Sequence, residues 1–261
     1  MEQPPPTPET PPAAATPPDM SLAARLLNVF AAPGEVFEAV NAARASVANW
    51  LAPILFSSLV GVVASYLLFS HPAIIQQVHE QQAKAFDQQV KNGKMTQAQA
   101  DQAAAMAEKF TGPAVMKVAG SVGAVIGSFV RVFWWAFVLW LLARLFLKVQ
   151  LNYLKTAEVA GLATMISTLG AIVTLLIRVN LGKLMSTPSL ALAVGDFDAG
   201  KKGHLLLAAV NIFSFWFVGV MSSGLSRLAG VPFARALSLV LGCWILQQLG
   251  LIFTGLGSMT L

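Results

Sequence analysis

VAGSVGAVIGSFVRVFWWAFVLWLLARLFL, Val118 to Leu147, decides how this chain folds, because its 30 residues carry two charges, Arg131 and Arg144, and no proline. As a straight helix it would measure roughly 45 Å, more than the roughly 30 Å hydrocarbon core of a bilayer. It therefore crosses with length to spare, and some of it bends or projects beyond the membrane. Four more apolar runs of span length flank it, at about 50–69, 157–177, 205–228 and 233–256. Trp50 and Tyr66 bracket the first of these, as amphipathic rings do at headgroup level. The whole chain is 56% hydrophobic and only 11% charged, outside the range of soluble globular domains. The reading is an all-α, polytopic transmembrane bundle of about five helices, with the lipid bilayer as its solvent.

The segments around the spans differ in composition. Residues 1–19 hold eight of the fourteen prolines, so 1–20 reads as a disordered Pro-rich tail that cannot bury enough apolar area to offset chain entropy. It lacks the basic start and apolar core of a signal peptide, which makes the first span an uncleaved anchor and leaves the N-terminus cytoplasmic. From 21 to 48, Leu22, Leu26, Val29, Phe30, Val36, Phe37 and Val40 recur at helical spacing, broken at Pro33-Gly34. Two short amphipathic helices result, and lying in the interface or covering the cytoplasmic ends of the spans suits them equally. Residues 71–112 are polar and Gln-rich, with two apolar stripes, and predict an extramembrane helical hairpin between the first two spans. Its turn is Asn92-Gly93-Lys94, Thr96 and Gln99 form a capping box, and Gly112-Pro113 stops the second helix. Asn180 to Gly203 reads as a solvent-exposed loop. Only Ala229 to Pro232 separates the fourth and fifth runs, so those helices are antiparallel neighbours. Residues 49–261 form the transmembrane domain.

A formal charge of +5 raises the question of nucleic acid, but the 17 basic residues are scattered over loops and span ends without forming one face. Anionic lipid headgroups are the expected counterions. The single cysteine, Cys243, lies inside an apolar run, which rules out an intrachain disulfide and any paired metal motif. With the N-terminus inside, seven Lys or Arg fall on cytoplasmic segments and nine outside. Five of the nine lie between the first two spans, four of them in the long hairpin, where acidic residues offset them and the positive-inside rule has least force.

Ionisable groups within spans are functional candidates by default. Arg131 interrupts the second run and Glu158 opens the third. At membrane depth they would pair or make a polar spot for a headgroup or solute. Near helix ends, Arg131 would keep its head in the interface and Glu158 would complement its helix dipole. Asn211, Gln247 and Gln248 lie in the last two runs, where an amide can hydrogen-bond across helices for roughly 1 kcal/mol. Gly123 and Gly127 form a GxxxG pattern that permits close helix approach, although small-residue helices also produce it by chance. Gly224 joins them as a candidate packing position. His71, His79 and His204 are far apart in sequence and have no companion ligand at metal spacing. No P-loop, dinucleotide fingerprint, HExxH or GxSxG pattern occurs. No catalytic, cofactor-binding or metal residue is expected.

Leu27-Asn-Val-Phe-Ala-Ala-Pro33-Gly-Glu35-Val-Phe37, followed by Trp50 and Pro53, resembles the start of bacterial members of the Yip domain family, named for eukaryotic proteins that interact with Ypt/Rab GTPases. Val210-Asn-Ile-Phe213-Ser-Phe-Trp216, leading to Gly224-Leu-Ser226 and then Ala234-Arg-Ala-Leu to Trp244, is similar to the family's last two spans. Tyr153-Leu-Lys155-Thr-Ala resembles the lead into its third. The resemblance implies a five-helix bundle in a bacterial inner membrane, a cytoplasmic N-terminus, a short outer C-terminus and no enzymatic role. The Asp-Leu-Tyr-Gly-Pro signature of eukaryotic relatives is missing, so Rab-type GTPase binding does not carry over. The functional expectation is a non-enzymatic, membrane-organising scaffold that assembles with other membrane proteins or with itself. The alternative is a small-solute or lipid transporter, or an accessory subunit of an export complex.

Overall fold

The structure, a computed structural model, describes residues 20–195 and 197–255, which places the tail up to residue 19 and the last six residues outside it. Among the described residues the chain is helical without a strand, apart from an isolated bridge between Ser189 and Asn211. Helices α1 (Leu22–Asn28) and α2 (Pro33–Ala42) lead into the first span, α3 (Ala48–Leu68). The hairpin follows as α4 (Pro72–Lys91) and α5 (Gln97–Phe110), and then the long α6 (Pro113–Leu142), whose last turn widens into a π turn at Ala143–Leu147. After α7 (Tyr153–Leu181), a loop with a short 3-10 turn reaches α8 (Lys202–Ala209), and α9 (Ile212–Ala229) and α10 (Phe233–Phe253) close the bundle.

Each boundary has a local cause. Ser21 caps α1 through Ala24 N–H, and prolines stand at the first turns of α2, α4 and α6, where a missing N–H removes nothing from the helix. The hairpin forms as the pattern requires. Gly93 turns the chain with φ of 68°, and Thr96 and Gln99 exchange the two hydrogen bonds of a capping box. Gln77 then ties the hairpin to the bundle. Its amide donates to Gly182 O at 2.6 Å and accepts from Leu184 N at 2.9 Å, satisfying backbone groups released at the end of α7.

The fourth span is shorter than expected. Residues 205–228 read as one apolar run, but the helix breaks at Val210 and Asn211, so α8 is separate and the membrane-length helix starts at Ile212. The Asn211 side chain accepts from Phe213 N at 2.9 Å, and Leu190 N donates to Val210 O at 3.2 Å. An N-cap and a returning loop therefore replace the helical hydrogen bonds, which hydropathy cannot register. The segment expected as an open loop is correspondingly folded back onto the bundle.

Five helices are long and apolar enough to cross a membrane: Ala48–Leu68, Pro113–Leu147, Tyr153–Leu181, Ile212–Ala229 and Phe233–Phe253. They alternate in direction, so α1 and α2 share one end of the bundle, the cap end, with the turn between α9 and α10. The hairpin and α8 lie at the other. Helix α7 is the centre, with half of its most apolar window buried against 22% for α3 and α10. Leu55, Leu59, Ile126, Leu246 and Phe253 point outward from the bundle. A band of such residues is lipid-facing surface, far larger than the apolar patches a soluble monomer exposes. Val36, Phe37 and Val40 are fully buried, and α2 packs on α7 and α9. Of the two uses open to these helices, covering the bundle end is therefore the one seen.

Several contacts need glycine, and the two tightest lie between α7 and its neighbours. A Cβ on Gly161 would stand 2.4 Å from Trp50 Cα, and one on Gly224 would stand 2.2 Å from Val159 Cγ1. These positions set the approach of α3 and α9 to α7. Gly123 and Gly127 meet nothing within 4 Å and make no helix contact within the chain. Gly161→Ala should therefore destabilise the protein by about 1–3 kcal/mol through overpacking, read as a lower thermal unfolding midpoint in detergent micelles. Gly242→Ala, with open space around it, should leave the midpoint unchanged or slightly higher.

Candidate functional site: a buried polar lock and a cationic cavity

Polar groups inside the bundle gather in two places. At the cap end, Glu158 lies in the second turn of α7 and is fully buried. Its Oε2 accepts from Asn49 Nδ2 at 2.5 Å, and its Oε1 faces Lys155 Nζ at 3.4 Å. Asn49 Oδ1 in turn accepts from Arg25 Nη1 of α1 at 3.3 Å. The Lys155 ammonium also donates to Val40 O at 2.5 Å and Ala43 O at 2.7 Å. Those carbonyls end α2, where a cation both fills an empty acceptor and meets the negative pole of the helix. One connected cluster thus joins α1, α2, α3 and α7. Removing one partner of such a buried pair costs about 3–5 kcal/mol, because the other charge is left without compensation.

The second place is a cavity of about 600 Å³ between the spans. Three helices each turn one face toward it. Gly127, Val130, Arg131, Trp134 and Trp135 form a stripe on α6, Ser167 to Arg178 another on α7, and Trp244, Gln247, Gln248, Leu251 and Ile252 a third on α10. Spacings of three and four residues keep each stripe on a single face. Trp135 and Phe217, edge to face with centroids 5.4 Å apart, form the floor toward the cap end. Arg178, Thr187, Asn211 and residues of α8 line the mouth. Arg178 Nε donates to Ser186 O at 3.2 Å and so steadies the loop there.

Arg131 and Glu158 do not meet. Glu158 is committed to Asn49 and Lys155, whereas Arg131 opens onto the cavity without a hydrogen bond or ion pair among the described residues. Glu158 also stands past the first turn of α7, where no acidic residue occurs, so its partners are side chains and not the helix dipole. Asn211 caps α9, Gln247 Oε1 accepts a long 3.5 Å bond from Trp134 Nε1 across α10 and α6, and Gln248 lines the cavity. The cavity therefore collects Arg131, Asn211, Gln247 and Gln248, four candidates from three separate stretches of sequence. Sequence reasoning did not single out Arg25, Asn49 or Lys155. The i, i+3 spacing of Lys155 and Glu158 was visible, but Asn49, 109 residues away from Glu158, was not connected to either by any local pattern.

The chemistry of the two places differs. The lock has its own counter-charges and behaves as structure. Among the described residues the cavity lining has two arginines, amides and hydroxyls but no carboxylate, histidine or cysteine, so these groups can donate hydrogen bonds to an anion. Among the described residues no three His, Cys, Asp or Glu side chains lie close enough to hold a metal ion.

Comparison with curated proteins and with solved structures gives no match. The family model described as the Yip1 domain matches residues 27–254, a stretch that includes α2, all five spans, the lock residues from Asn49 onward and the cavity. With an all-helical bundle and five apolar helices of membrane length, this chain is an integral, multi-pass membrane protein that belongs to the Yip1 domain family.

Proposed function

We propose that the chain is a non-enzymatic scaffold of a bacterial inner membrane, organising membrane proteins or copies of itself, with the tail and the α1–α2 cap on the cytoplasmic side. In this reading 1–20 is the tail, 21–48 the peripheral cap and 49–261 the transmembrane domain. The observation that carries it is the cap itself. Buried polar groups of Lys155, Glu158 and Asn49 dock α1 and α2, and Leu27 remains 71% exposed. A helix pair held fast at the end of the bundle is suited to presenting a surface to a partner. Arg44, Arg144, Lys148 and Arg235 are exposed at the same end, which suits the anionic cytoplasmic leaflet. Rab-type GTPase binding has no support in the chain. Transport, the second reading, is favoured by Arg131 within the cavity, but passage requires an opening at both ends. The Trp135–Phe217 floor and the packed core behind it favour holding a ligand over conducting one.

Crosslinking in native membranes followed by mass spectrometry should recover reproducible partners or self-pairs through the cap. A strictly solitary monomer in native-like lipid would contradict the scaffold reading. Lys155→Met and Glu158→Leu should each loosen the cap, measured as faster proteolysis within residues 43–47 and a lower unfolding midpoint, with about 3 kcal/mol or more lost. Glu158→Gln keeps the bond to Asn49 and should lose less. For orientation, Ala45→Cys in a Cys243→Ala background should react with an impermeant thiol reagent only from the cytoplasmic side. Gln102→Cys in the same background should react only from the other.

A further inference from the structure

We propose that the cavity between α6, α7, α9 and α10 is a binding site for a phosphate-type oxyanion, with the Arg131 guanidinium as its anchor. Arg131 lies in the middle of the longest apolar helix, roughly 27 Å along the axis from Pro113 and roughly 16 Å from Leu142 at the helical rise per residue. A cation at that depth is expensive unless it is paired or hydrated. Among the described residues none lining the cavity is acidic, and Glu158, the only acidic residue within the five membrane-length helices, faces Asn49 and Lys155 instead. Among the described residues none supplies the counter-charge that Arg131 requires, which leaves that part to an anion entering the cavity.

The surroundings narrow its chemistry. A guanidinium presents five donors in a planar fork that matches phosphate and carboxylate oxygens. Gln247 and Gln248, one helix across, add amide donors to the same space, and Gln248 makes no hydrogen bond within the described residues. The volume of about 600 Å³ falls in the range of small-molecule sites, far more than a halide ion fills. Val130, Leu251, Ile252 and Trp244 supply apolar wall beside the donors, so one ligand end is anionic and the rest is oily or small. Helices α6 and α10 touch at few points, and the one polar link between them is the long Trp134–Gln247 bond. Their seam gives an acyl chain a way out into lipid. A phosphate ester on a lipid and free phosphate share the chemistry that Arg131 recognises. This site is independent of the scaffold reading, which stands or falls on the cap.

The full-length protein, purified in non-ionic detergent, would be titrated separately with dioleoyl phosphatidic acid, with dioleoylglycerol, which has the same chains and no phosphate, and with inorganic phosphate. Native mass spectrometry would count bound molecules, and thermal unfolding would report stabilisation. Phosphatidic acid should bind and raise the midpoint, dioleoylglycerol should not, and Arg131→Leu should weaken binding about tenfold or more, the loss of a charge-assisted hydrogen-bond pair. Protection by inorganic phosphate that Arg131→Leu removes would also uphold the site and identify a soluble ligand. Should Arg131→Leu fail to fold, the double variant Gln247→Leu, Gln248→Leu tests the opposite wall and should weaken the same binding severalfold. Binding of phosphatidic acid no stronger than dioleoylglycerol, with no effect of phosphate, would overturn the proposal, as would equal binding by wild type and correctly folded variants.

Discussion

In a hydrocarbon solvent every backbone N–H and C=O must find its partner within the chain, and this requirement governs the protein. It forces the apolar stretches into helices, since no water is present to take up an open amide. It also concentrates the remaining demand at helix ends, where four groups on each side lack intrahelical partners. The chain answers with side chains brought in from elsewhere. Asn152 and Asn211 cap α7 and α9, Gln77 of the hairpin fills both polarities at the end of α7, and Lys155 fills the open carbonyls of α2. Much of the connection between peripheral elements and bundle is this completion of backbone hydrogen bonding.

The same low dielectric separates the two polar regions by how their charge is balanced. In the lock, the carboxylate and ammonium of α7, the amide of α3 and the guanidinium of α1 face one another, so the cluster rigidifies the cap end. In the cavity, no described residue pairs with the positive charge of Arg131, and further donors lie around it. Charge held away from bulk water is costly in both cases, at the buried Glu158 and at Arg131 midway along a membrane-length helix. One site meets the cost internally, while the other is built to have it met by something that enters.

Particular residues show how far local pattern reaches. The hairpin was legible because Asn92-Gly93-Lys94 and Thr96 with Gln99 act within a few residues of one another, and the geometry of a turn or a cap is decided at that range. The spans were legible because membrane thickness translates directly into residue count. The break at Asn211 was not, since an asparagine in an apolar run reads equally as a bridge between helices or as a cap, and the choice depends on the returning loop at Leu190. Gly123 and Gly127 carry a packing pattern that the chain itself does not use, whereas Gly161, which has no motif around it, holds the closest approach of α3 to α7.

By itself the sequence determined the solvent, the number of spans, the alternation of their directions and the position of the hairpin, because hydropathy and capping act over one helix or one turn. Only the tertiary structure decided that Glu158 joins Asn49 and Lys155 and leaves Arg131 alone, that α1 and α2 close one end, and that four polar residues from distant helices share one cavity. Those outcomes depend on helix rotation and on which faces meet, and in lipid both are set by close packing between neighbouring helices, which leaves no periodic trace in any single one of them.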